Sequence, residues 1–119
     1  MAKSLYERLG GTEGITKIAS DVIDNHLKNP KVAARFSGSD IPAVKQKAAE
    51  FFITGSGGPS IYVGKEMIDA HRHMNISDAE FMAVVDDAMD ALTTSGISDD
   101  AKAEVLYIFY SLRPQVVGV

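Results

Sequence analysis

Apolar residues recur at helical spacing along most of this chain, and no segment sustains strict alternation. The longest stripe, Ile15, Ile18, Ala19, Val22, Ile23, His26 and Leu27, advances in steps of mostly three and four residues. That spacing lines one face of an α-helix. Thr12 is positioned to cap this helix behind Gly10-Gly11, and Pro30 closes it at Asn29. Ser4, with Glu7 at the third position, predicts a short helix before it, reaching Leu9. Val32 to Phe36 reads as one further turn. Asp40 caps a second long stripe carrying Val44, Ala48, Phe51 and Phe52 to about Ile53. Pro42 stands in its first turn, where a missing N–H costs nothing. Ser77 and Glu80 form a capping box ahead of Phe81, Val84, Val85, Ala88, Met89 and Leu92, and Gly96 ends that helix. Ser98 begins a last helix with Val105, Ile108, Phe109 and Leu112. Asp99 and Asp100 sit at its positive dipole end, Pro114 breaks it, and the final residues are expected to fray. With no period-two segment there is no sheet to expect. The fold class is all-α, in one domain spanning 1–119.

That single domain is long enough to bury a core without covalent staples. It carries 12 Lys and Arg against 16 Asp and Glu, a net charge of −4. An acidic balance argues against nucleic acid and anionic membrane surfaces as partners. There is no cysteine, which excludes disulfides, thiolate nucleophiles, Cys-type zinc and iron–sulfur clusters. No apolar run approaches a membrane span. Nothing resembles a secretory leader, because Glu7 and Arg8 interrupt the first residues. A cytoplasmic protein is expected, as a monomer or weak dimer.

Between the second and third stripes lies a glycine-rich break, Gly55 to Gly64. It lacks the Lys-Ser/Thr of a phosphate-cradling loop and no strand precedes it, so it reads as a connector. The Met67–Phe81 stretch follows and sets His71 on the apolar face of a short helix, with Met67 and Met74 a turn to either side. An imidazole framed this way is either a metal or cofactor ligand or a hydrogen-bonded core residue. His73 lies roughly 200° further round the helix and cannot share its target, so it reads as solvent-facing. His26, inside the first stripe, reads as a boundary histidine bonded to a nearby backbone carbonyl. Lys47, at the edge of the second, reads as a snorkelling lysine.

Several segments, in order and at characteristic spacing, resemble the truncated haemoglobins of group I. They begin with Ser-Leu-Tyr-Glu-Arg-Leu-Gly-Gly at 4–11, then Phe36 followed by a short polar loop, and Glu50-Phe51-Phe52. Gly57-Gly58-Pro59 with Tyr62 and Gly64 come next, then Met67, His71, Ile76 and Phe81, and finally Asp90-Ala91-Leu92 with Gly96. The resemblance covers nearly the whole chain. It implies a two-over-two helical sandwich holding haem b, with His71 as the proximal iron ligand. It implies that Phe36 packs on the haem, that Phe51 and Phe52 line the pocket wall, and that Tyr62 stands near the haem edge. The slot implied for the disc is made by Val22, Ile23, Phe36, Val44, Ala48, Phe51, Met67, Phe81 and Val85, with Met74 and Ile76 adjoining.

The distal side departs from the family pattern. Many members carry a Phe-Tyr pair in the second helix, where this chain has Val22-Ile23. A glutamine often faces the ligand from the third helix, where this chain has Val44 and Ala48. The polar groups left are Lys47, as a propionate partner or a sixth iron ligand, and His26, one turn beyond Ile23. The function implied is reversible binding of a diatomic ligand such as oxygen, nitric oxide or carbon monoxide, in oxygen transport or storage. The alternative is a six-coordinate redox or detoxifying haem protein closed by Lys47 and served by a reductase. With no acid–base residue evident on the distal side, ligand binding is expected ahead of nitric oxide dioxygenase or peroxidase catalysis.

Overall fold

The computed structural model describes residues 3–62 and 70–118. Met67 and Gly64, both named above, lie outside the described residues. Among the described residues the helical elements are α1 (Leu5–Arg8), α2 (Gly11–Lys28), α3 (Ile41–Gly55), α4 (Asp78–Thr94) and α5 (Asp99–Leu112). Short 3₁₀ turns at Ala33–Phe36 and Arg113–Gln115 follow α2 and α5. Ala70 and His71 are also helical.

The helix starts follow local chemistry. Ser4 and Ser77 each close a complete capping box, with Glu7 and Glu80. Asp40 accepts from the Ala43 N–H and Ser98 from the Ala101 N–H, at 3.3 Å each. The start of α2 differs from the sequence expectation. Gly10, in the left-handed region at φ 98°, is its cap, and Thr12 lies inside the helix. Thr12 is engaged elsewhere: its N–H donates to the Tyr6 hydroxyl at 3.1 Å, and its own hydroxyl is 2.6 Å from the same oxygen. The C-terminus also differs. The Gly118 N–H donates to the Ile76 carbonyl at 2.9 Å, and Val117 bridges Ile76, so the tail is tied to the segment after His71.

α2 packs against both α3 and α4. Leu5, Leu9, Ile15, Ile18, Val22, Ile53, Ala91, Leu92 and Val105 close into one dry cluster. They come from α1 and its C-cap residue Leu9, the first two-thirds of α2, the end of α3, the second half of α4 and the first half of α5. The opposite halves of the long helices splay around a cavity.

Candidate functional site

That cavity has a volume of about 400 Å³, within the roughly 300–1,000 Å³ usual for small-molecule and cofactor sites. α2 supplies Val22, Ile23 and His26, and the turn after it supplies Val32, Arg35 and Phe36. α3 supplies Val44, Lys47, Ala48, Phe51 and Phe52, and Tyr62 stands beyond it. Across from these are Ala70, His71, Met74 and Ile76, then Glu80, Phe81 and Val84 of α4. Ile108, Phe109 and Leu112 of α5, with Val116, complete the wall.

The predicted slot residues Val22, Ile23, Phe36, Val44, Lys47, Ala48, Phe51, Phe52, Tyr62, His71, Met74, Ile76 and Phe81 therefore meet around one space. Val85 does not reach it. It is buried, but Val84 takes the cavity position, on the same side of α4 as Phe81 and Glu80. One residue is about 100° of helix rotation, and the apolar pattern of α4 is broad enough to leave that angle open. His73 is exposed and outside the lining, as expected of it. Its φ of 70°, with Asn75 at 50°, reverses the chain between His71 and α4.

Aromatic contacts hold the walls. Phe51 meets Phe52 and Tyr62 edge-on at 6.0 and 5.3 Å between ring centroids, and Phe52 reaches Phe109 at 5.7 Å. At the rim, the Lys47 side chain is 54% exposed and its Nζ stands 3.7 Å from Glu50 Oε1.

Two polar clusters escaped the sequence reading. Arg35 donates from Nε and a terminal nitrogen to the two Glu80 oxygens at 2.6 and 2.9 Å, and from the other nitrogen to the Met74 carbonyl at 2.9 Å. The guanidinium, with the Ser77 N–H, holds the Glu80 carboxyl at about 2, below its ordinary value of 4.5. The second cluster corrects the expectation for His26, whose partner is a side chain and not a backbone carbonyl. Its Nδ1 lies 2.7 Å from Asp87 Oδ2, and both residues are buried. Asn29 donates to both Asp87 oxygens at 3.2 and 3.3 Å, and the His26 ring stacks on Phe36 at 5.6 Å. A histidine and an aspartate on separate helices leave no mark in sequence beyond each standing on an apolar face.

The space thus combines a broad apolar slot, an imidazole on one wall and a cation at its mouth. These are the groups a flat, largely apolar metal-bearing disc with carboxylates at one edge requires. The model of the bacterial-like globins matches residues 4–117. The chain belongs to that family. This globin is 29% identical to the group 1 truncated hemoglobin GlbN of Mycolicibacterium paratuberculosis over 113 residues, covering 95% of this chain and 83% of the relative. It is 25% identical to the group 1 truncated hemoglobin of Tetrahymena pyriformis, over 98% of this chain and 96% of that one. The crystal structure of the Tetrahymena pyriformis protein in its Fe(III) form superposes with a TM-score of 0.95, at 25% identity, covering 98% of this chain and all of that one. The all-α, two-over-two architecture expected from the sequence is the one observed. This globin is a haem-binding truncated haemoglobin of group I, with haem b as its cofactor.

Proposed function

We propose that this globin reversibly binds a diatomic ligand, oxygen foremost, at iron held by the imidazole of His71. The observation that carries the reading is the placement of His71 in the cavity wall with the apolar side chains of Ile23, Val44 and Ala48 lining the same space. Haem, when bound, would supply the iron to which such a ligand attaches. Phe36, Phe51, Phe52, Tyr62, Met74, Ile76 and Phe81 line the cavity and would hold the disc. Nitric oxide and carbon monoxide fit the same slot.

Lys47 serves the cofactor as a propionate partner in this reading. Its exposed side chain and its nearness to Glu50 favour a carboxylate at the rim over iron within the cavity. The competing reading, a six-coordinate redox or detoxifying protein closed by Lys47, requires that head group to desolvate and turn inward, which costs several kcal/mol for a charged amine. Haem titrated into the purified chain should produce a Soret band that His71→Ala weakens and shifts. A chain that stays colourless with excess haem would overturn the reading. The ferric spectrum of Lys47→Ala should match that of the parent. A low-spin parent turning high-spin in the variant would establish Lys47 as the sixth ligand instead.

A further inference from the structure

The His26–Asp87 pair has a chemical consequence for whatever occupies the cavity. A carboxylate oxygen only accepts hydrogen bonds, so at 2.7 Å from Asp87 Oδ2 the His26 Nδ1 must carry the proton. In the neutral ring this leaves Nε2 with its lone pair bare. Among the described residues nothing donates to Nε2, and the residue, 4% exposed, lines the cavity. Asn29 holds the carboxylate from its other side, and Phe36 fixes the plane of the imidazole. The other charged groups at this wall are engaged elsewhere: Arg35 with Glu80, Lys47 toward Glu50.

We propose that His26, oriented by Asp87, is a proton acceptor built into the cavity, and that the ligand class it serves is a small protic molecule, hydrogen peroxide or an alkyl hydroperoxide. On entry the O–H bond of the ligand breaks, its proton passes to Nε2, and the electron pair stays on the ligand oxygen. The imidazolium so formed lies against the Asp87 carboxylate, which offsets its charge in a buried site. Asp87 and Asn29 are positioning residues, since neither lines the cavity. This rests on haem occupying the cavity, and it adds the acid–base group that the apolar residues at Ile23, Val44 and Ala48 do not provide.

The experiment separates proton-dependent from proton-independent binding. Hydrogen cyanide is the probe for the ferric holoprotein, because it must lose a proton to bind. Carbon monoxide is the probe for the ferrous form, because it has none to lose. In His26→Gln and in Asp87→Asn, cyanide association should slow at least about tenfold, a floor set one decade below the roughly 10²–10⁴-fold usual for a positioned base. Carbon monoxide association should stay within about threefold. Cyanide rates unchanged in both variants, or both probes slowed alike, would overturn the proposal. A readout without cofactor is the long-range ¹H–¹⁵N spectrum of the haem-free parent chain, in which neutral His26 should be protonated at Nδ1. Finding the proton at Nε2 would overturn the proposal even if haem binds. A chain that takes no haem but shows the Nδ1 form would instead overturn the haem-based function and with it the ligand class.

Discussion

If the cavity binds a diatomic ligand at iron as proposed, Ile23 is where a single side chain sets how tightly that ligand is held. It is 5% exposed and lines the cavity. Its side chain offers no donor to a ligand that gains negative charge on binding iron. A hydrogen bond to such a group contributes about 1–3 kcal/mol, equivalent to roughly fivefold to over a hundredfold in dissociation rate. Ile23→Tyr should therefore slow oxygen release by a factor in that range while changing carbon monoxide release less, measured by stopped-flow displacement. Gly58 constrains differently. A Cβ there would meet Tyr6 Cδ2 at 2.5 Å and the Ile53 carbonyl at 2.8 Å. Tyr6 cannot swing aside cheaply, since its hydroxyl is held by Thr12 and its N–H donates to the Ser56 carbonyl at 2.9 Å. Gly58→Ala should cost about 1–3 kcal/mol, the usual range for overpacking, read as a lower urea midpoint with an unchanged slope. From sequence this glycine reads as part of a connector and as a family marker. Its steric role follows from the approach of α1 to the end of α3, which no local pattern records.

Between elements, the Arg35–Glu80 pair joins the turn after α2 to the start of α4 and, through the Met74 carbonyl, to the chain just after His71. Glu80 titrates near 2 in the folded protein, against an ordinary value of 4.5. Its folded pKa is depressed, so its contribution is fully present above about 4.5 and is lost as pH falls from there toward 2. Glu80→Gln retains the side-chain oxygen that can serve the capping box but removes the charge. At neutral pH it should lower the melting temperature by a few degrees, and the gap from the parent should close as pH is lowered through that window. A constant gap across the titration would show that shape, not charge, accounts for the loss. The pair also bears on the site. Met74 and Ile76 line the cavity, so loosening Arg35 should release the same segment that presents His71.

Across the whole molecule, the long helices give one half to a dry core and the other to a cavity. Ile15, 1% exposed, sits in the core half. Ile15→Ala should cost about 2–5 kcal/mol, the range for truncating a fully buried aliphatic side chain, with or without haem. Ile108→Ala, at the cavity wall, should weigh mainly on cofactor-linked stability, seen as a smaller rise in melting temperature when haem is added. Much of this architecture was legible in the residues alone, because the rules involved act over a few positions. Ser4, Asp40, Ser77 and Ser98 cap where their side chains can reach an N–H three residues on, and apolar spacing separates helix from strand. The order and spacing of segments from Ser4 to Gly96 likewise pointed to the family, and so to haem and to His71. What tertiary structure alone decided is which distant groups meet. His26 and Asp87 are 61 residues apart and Arg35 and Glu80 are 45 apart. The choice of Val84 over Val85, and the tethering of Val117 and Gly118 to Ile76, belong to the same class. Each depends on how two elements cross and how far each is rotated about its axis. Those angles are set by packing across the whole chain, and a broad apolar stripe is compatible with several of them. That His71 stands among the apolar slot residues was therefore expected from sequence, while the meeting of His26 with Asp87 appeared only once α2 and α4 were packed together.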